Sequence, residues 1–277
     1  MTGIIQFMDQ ITHKEQEKED VAIEQTLGRI KRILLVLSGK GGVGKSTVAA
    51  NLAVALAREG NEVGLLDVDI HGPSVPRLLG LAGSAVLSGD GGMIPVEFTP
   101  NLKVMSIGFL IRGSSDPVIW RGPMKYGVIK QFLSNVGWGT LDFLVVDSPP
   151  GTGDEPLSVA QMIGSRGEAV IVTTPQQVAV DDVRRSITFC RTVGVPVAGV
   201  IENMSGFVCP SCGARHDLFS SDGGKRLAVE MGVPYLGSVP IDSAITRSGD
   251  DGKPFVLGEA SPAAEAFSGI VSKLTGT

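Results

Sequence analysis

The chain has 277 residues, 43% of them hydrophobic, with 24 basic and 29 acidic side chains and a formal net charge of −5. That length supports one large domain with a sizeable core, and the acidic balance excludes a globally basic surface for wrapping nucleic acid. No apolar run reaches the ~18 residues that cross a bilayer, and the N-terminal stretch lacks a signal-peptide core, so a cytoplasmic protein without nucleic-acid or membrane partners is expected.

Residues 12–20 are almost entirely polar, and 1–30 are expected to form a flexible tail ahead of one domain over 31–277. The continuous apolar run 33–37 reads as a parallel strand covered on both faces. Val48, Ala49, Leu52, Ala53, Leu56 and Ala57 then recur at helical spacing. A second strand is predicted over 63–67, a long excursion or hairpin over 83–100, and strands over 102–107, 141–147, 169–173, 197–201 and 235–239. Helices are predicted near 118–135, 155–164, 179–192, 222–231 and 261–274. An insertion near 203–221 carries Cys209 and Cys212, whereas Cys190 lies in a helix-like stretch and reads as a buried small hydrophobe. The alternation predicts an α/β fold, a predominantly parallel sheet with helices on both faces. Ligands in such sheets bind past the C-terminal ends of the strands.

The segment Gly39-Lys40-Gly41-Gly42-Val43-Gly44-Lys45-Ser46-Thr47 fits G-x-x-x-x-G-K-[ST] and stands between the first strand and the first periodic helix. Glycines let successive backbone N–H groups turn towards phosphate oxygens, and the following helix offers its positive end. Residues 41–47 are therefore candidates for binding ATP, with Lys45 on the β- and γ-phosphates and Ser46 on Mg²⁺. Two acidic clusters end predicted strands: Asp67-Val68-Asp69, and Asp147 after Leu144-Val145-Val146. A single strand-end aspartate is usually a turn residue. Beside a phosphate loop, Asp147 reads as a Walker-B magnesium ligand in a P-loop NTPase.

The loop with its extra Lys40 is similar to the deviant Walker A motif of the MinD/ParA class of ATPases, which includes the nitrogenase iron protein. That resemblance implies that Lys40 crosses a dimer interface to the partner's ATP, that Asp69 positions the attacking water, and that Asp154 falls in switch II. The match is closer to the Mrp/ApbC iron–sulfur cluster carrier ATPases. It is carried by Asp67-Val68-Asp69-Ile70-His71-Gly72-Pro73-Ser74, Trp120-Arg121-Gly122-Pro123-Met124, Asp147-Ser148-Pro149-Pro150-Gly151-Thr152-Gly153-Asp154 and Glu202-Asn203-Met204-Ser205, followed by Cys209-Pro210-Ser211-Cys212. It implies catalytic roles for Lys40, Lys45 and Asp69, and an adenine contact by Asn203 flanked by Pro240-Ile241-Asp242. Residues 1–32 contain no cysteine, so the second N-terminal cluster of some eukaryotic relatives is not expected.

Three readings of the Cys209/Cys212 pair stand side by side. The thiols sit reduced in a turn, or they bind zinc with His216 and an added ligand such as Asp217, or two chains pool four thiolates around a [4Fe–4S] cluster. The Mrp/ApbC resemblance implies the last, and free thiolates also take zinc in aerobic preparations. A thioredoxin-like role is disfavoured because no clear helix follows the pair. The leading expectation is a homodimeric, slowly hydrolysing ATPase that assembles the cluster and passes it to apo iron–sulfur proteins. A ParA/MinD-like positioning ATPase, a zinc-binding regulatory ATPase and a metabolic kinase are the rivals. The segment 263–274 lacks the basic face of a membrane-targeting helix, and Arg184-Arg185 and Lys225-Arg226 are only short basic pairs. Of the three histidines, His71 is expected to cap the switch I loop and His13 to be solvated.

Overall fold

The structure, a computed structural model, describes residues 16–89, 92–110, 122–209, 211–218 and 222–276. Expectations for His13, Asp90-Gly91, Trp120-Arg121 and Pro210 fall outside the described residues. Helix α1 covers 16–27, followed by β1 (Ile30–Leu37), α2 (Lys45–Arg58), β2 (Val63–Asp67) and α3 (Val75–Leu78). Next come β3 (Leu87–Gly89), β4 (Gly92–Ile94), β5 (Val96–Thr99), β6 (Leu102–Ser106), α4 (Gly122–Ser134), β7 (Leu141–Asp147), α5 (Asp154–Ile163), β8 (Gly167–Thr173) and α6 (Gln177–Thr192). The remainder holds β9 (Val197–Glu202), β10 (Phe207–Val208), β11 (Arg215–His216), α7 (Gly223–Glu230), β12 (Tyr235–Ser238), α8 (Ser243–Asp251) and α9 (Pro262–Thr275).

One eight-stranded sheet has the order β12-β9-β8-β1-β7-β2-β6-β5. Neighbours run parallel throughout except for β5, which returns antiparallel along β6. Each predicted parallel strand is present, and the expected helices lie on both faces. The apolar strands are unbroken because alternate side chains enter different cores. From β1, Ile33, Leu35 and Leu37 face the layer of α1, α4, α5, α6 and α7, while Leu34 and Val36 face α2, α3 and α9. Each such fully buried side chain stabilises the fold by roughly 1.5–3 kcal/mol. Cys190 is fully buried in the first layer, and burial pushes its thiol up to about 11.

Three departures have physical causes. The tail expected over 1–30 is helical from 16 to 27, where Ile23 and Leu27, one turn apart, are buried beneath a charged exterior. Asp20 also accepts a hydrogen bond from Lys130 Nζ at 2.9 Å, tying α1 to α4. Helix α8 escapes the sequence pattern because none of its residues is buried. Its start is local chemistry: Asp242 caps it by accepting from Ala244 N–H at 2.8 Å. The excursion over 83–100 resolves into the antiparallel pair β3–β4 followed by the edge strand β5. No helix among the described residues is long and apolar enough to cross a membrane.

Candidate nucleotide site and cysteine hairpin

The order places β1 between β7 and β8, and the loops leaving their C-terminal ends converge there, as expected for a crevice in an open parallel sheet. Ser38, Lys40, Gly41, Gly42, Gly44, Lys45, Ser46, Thr47, Asp69, Ser74 and Pro150 line a cavity of about 230 Å³. Gly44 caps α2 at φ 83, a conformation that favours glycine. A Cβ there would also lie 2.3 Å from Asn203 Nδ2. The loop shape therefore requires this glycine.

At the cavity floor, the buried Lys45 ammonium donates to Asp147 Oδ1 at 2.6 Å and lies 3.4 Å from both Asp69 Oδ2 and Ser46 Oγ. Asp147 Oδ2 is buried without a hydrogen-bond partner. That orphaned oxygen beside the Ser46 hydroxyl fits a hard, oxygen-seeking cation such as Mg²⁺. Asp67 stands opposite Asp147 in the β2–β7 register, accepting from Ser106 Oγ at 2.8 Å and from Asp69 N–H at 3.1 Å. Burial, then the neighbouring Asp147 charge, raise Asp67 to about 8. Burial likewise pushes Asp147 up, with the Lys45 ammonium opposing it. One cation thus faces a cluster of acidic side chains, and the raised value of Asp67 follows from its burial beside Asp147.

The two acidic loops are joined from the side. His71 N–H donates to Asp69 Oδ1 at 3.3 Å, and His71 Nε2 lies 3.0 Å from Glu155 Oε1 in the first turn of α5. Lys125 of α4 donates to the same Glu155 oxygen at 2.5 Å. Burial alone would raise Glu155, but Lys125 and His71 outweigh it and hold the carboxyl below its usual range. Gly151 N–H donates to Ser38 O at 2.8 Å, fastening the segment after Asp147 to the phosphate loop. The His71 side chain therefore bridges the loop after β2 to the start of α5.

Lys40 is half-buried at the cavity rim, and among the described residues its ammonium has no ion-pair partner. Asn203, expected at the adenine, gives its Nδ2–H to Val43 O at 2.9 Å, so the structure places it as a brace under the phosphate loop. Asp154 opens α5 after the Gly151–Gly153 turn.

Cys209 and Cys212 sit at the tip of the β10–β11 hairpin, which leaves the C-terminal end of β9 on the same side of the sheet as the phosphate loop. Cys209 N–H donates to Ala214 O at 2.9 Å and Gly213 N–H returns to Cys209 O at 2.8 Å, closing a tight knuckle. The Cys209 thiol is lowered first by the Cys212 N–H, then by the Ser211 N–H and the Cys212 thiol. The turn thus favours the thiolate that a metal requires. Among the described residues, no three His, Cys, Asp or Glu side chains converge as a metal set. Among the described residues a zinc site within one chain therefore has no third ligand in place, and His216 and Asp217 are both exposed.

Asp67 and Glu202 stand in sequence motifs that assign them no role, and Lys125 and Glu155 stand in none. His71, Lys125 and Glu155 meet across 30 to 84 positions of chain, distances over which local patterns carry no signal.

Comparison with known proteins bears on this geometry. The ParA family model described as NUBPL iron-transfer P-loop NTPase matches residues 29–275. A protein of Trichoplax adhaerens named as a homologue of the cytosolic Fe-S cluster assembly factor NUBP2 is 52% identical, covering 91% of this chain and 97% of its own. The iron-sulfur cluster carrier protein of Methanocaldococcus jannaschii is 46% identical, over 95% and 90%. Among solved structures, a nucleotide-binding protein of Archaeoglobus fulgidus in complex with ADP aligns with a TM-score of 0.78 at 40% identity, over 90% and 96%. The cell division ATPase MinD of Pyrococcus furiosus, at TM-score 0.64 and 23% identity over 89% and 99%, shares the fold.

Proposed function

The chain belongs to the NUBPL iron-transfer P-loop NTPases of the ParA family, and from that premise we propose that it is an ATP-dependent iron–sulfur cluster carrier. The observation that carries the reading is the pre-formed Cys209–Cys212 knuckle, its thiol already lowered by backbone N–H groups, at the same end of the sheet as a complete phosphate loop. Two thiolates fill half of a [4Fe–4S] ligand set, so two protomers would share the cargo. The names of the relatives, a cytosolic assembly factor and a cluster carrier, support the same activity in the cytosol. Clients would be apo iron–sulfur proteins, with no role for nucleic acid or membrane.

In this reading, residues 41–47 hold the triphosphate through backbone N–H groups, and Lys45 exchanges the Asp147 carboxylate for phosphate oxygens. Asp147 and Ser46 would then hold Mg²⁺, which when bound draws off the charge that develops on the phosphates. Asp69, brought near by the His71–Glu155 contact, orients the attacking water. Lys40, without an ion-pair partner among the described residues, reaches the partner's nucleotide. Asn203 keeps the loop shape through Val43 and, with its second amide atom, stands as the candidate for the base. Hydrolysis is slow because its role is to time the cluster site.

Anaerobic reconstitution with iron and sulfide tests the proposal. The native chain should hold about four irons per dimer, and Cys209→Ser or Cys212→Ser should hold none. Retention of iron in both variants would remove the site.

A further inference from the structure

We propose that Glu202 is the clamp through which the phosphate loop and the cysteine hairpin move together. It is a positioning residue for the cluster transfer proposed above, and the inference rests on that reading. Glu202 ends β9 and is fully buried. Ser205 Oγ donates to its Oε1 at 2.6 Å, and Gly224 N–H donates to its Oε2 at 2.5 Å. Ser205 stands two residues before β10, and Gly224 lies in the first turn of α7, the next helix after the hairpin. The insertion therefore leaves and re-enters the domain through the two oxygens of one carboxylate. A negative group suits the N-terminal end of α7, and a Cβ on Gly224 would meet Glu202 Oε2 and Thr173 Cγ2 at 3.0 Å. Glycine is what allows the helix to come this close.

The other end of the link is the next residue. Asn203 donates its side-chain N–H to Val43 O in the phosphate loop and its backbone N–H to Thr173 O at 2.7 Å. Val239 N–H reaches Glu202 O and Ser205 N–H reaches Val239 O, each at 2.9 Å. Residues 202–205 thus form one short rigid piece, turned by Met204 at φ 57, with the phosphate loop at one side and both hairpin roots at the other. A hairpin fixed at one root would absorb a shift of the loop by swinging. Fixed at both roots by one group, it must follow. Because a buried carboxylate is stable only with its hydrogen bonds made, loss of either bond loosens both roots.

Thiol alkylation reads this coupling directly, using the metal-free full-length chain with and without Mg²⁺ and a non-hydrolysable ATP analogue. Cys190 is fully buried and serves as an unreactive internal control, so the iodoacetamide rate reports Cys209 and Cys212. In the native chain the analogue should change that rate by about fivefold or more, the low end of ordinary coupling between sites. In Glu202→Ala and Gly224→Ala the rate should no longer respond. In Glu202→Gln the response should persist, because the amide oxygen still accepts from Gly224 N–H and its NH₂ can donate to Ser205 Oγ. Should Glu202→Ala not fold, Gly224→Ala decides. A native response that both Glu202→Ala and Gly224→Ala retain overturns the clamp alone. No response in the native chain overturns the nucleotide-timed carrier and the clamp together.

Discussion

The phosphate loop and the cysteine hairpin sit on the same side of one sheet but are built in opposite ways. Around Lys45 the acidic cluster is buried and cross-linked: Asp147 and Asp69 share its ammonium, Asp67 stands beside Asp147, and Asn203 and Gly151 brace the loop from two sides. Around Cys209 two strands of two residues each carry an exposed tip, and order comes from a tight turn and from the clamp at the root. On the reading proposed above, the site that would bind and release triphosphate is held in the core. The pair that would meet a second copy and surrender its cargo is left at the surface. The difference is what the proposed division between timing and carrying requires.

Substitutions can break that contrast, and the largest effect belongs to the buried side. Lys45→Ala should weaken nucleotide binding at least about 100-fold, since it removes charge-assisted hydrogen bonds worth roughly 1.5–3 kcal/mol each. It also leaves the buried Asp147 without its cation. Titration calorimetry checks this, and Cys209→Ser should leave the same affinity within about twofold because Cys209 is not among the residues that line the cavity.

The same chemical change at one glycine in each region sharpens the comparison further. Gly44→Ala adds a Cβ 2.3 Å from Asn203 Nδ2 at φ 83 and should cost about 3 kcal/mol, combining backbone strain with overpacking. Gly213→Ala, at φ 71 with open space around it, should cost only the strain of about 1 kcal/mol. Thermal unfolding should fall clearly for the first variant. The second should show mainly faster amide exchange in 207–216. Equal losses would mean that the hairpin is as integral to the fold as the loop.

The smallest effect lies at the contact of Glu155 with His71 and Lys125. Glu155 is held below its ordinary range by Lys125 and His71 against the opposing pull of burial, so the folded state binds its proton less readily than the unfolded chain. The advantage of the native chain over Glu155→Gln should be present above about pH 4.5 and fade as pH falls through the lowered value. At a partly exposed pair it should reach roughly 0.2–1 kcal/mol. Denaturant titrations across pH 3–7 measure it. A difference that instead grew on acidification would reverse the assignment.

The sequence carried the frame well because its strongest signals are local. The run 33–37, the glycines after it and the strand ending in Asp147 each satisfy a constraint visible within ten residues, and the parallel strands all stand where the apolar runs predict. What stayed hidden was assembled across the sheet. Asp67 acquires its raised pKa from burial and from Asp147, its neighbour on another strand. Glu155 acquires Lys125 and His71 from elements far along the chain, and α8 lacks any buried face to mark it. Asn203 illustrates both limits: its motif marked it as important, but only the fold shows that its amide is given to Val43.

The central claim is that the exposed pair works as half of a shared site while each chain binds a nucleotide in its own buried loop. Native mass spectrometry of anaerobically reconstituted protein measures this most directly. The account predicts one cluster of about four irons and four sulfides on two chains, each chain still able to take up its own nucleotide. A full metal complement on a single chain would contradict it.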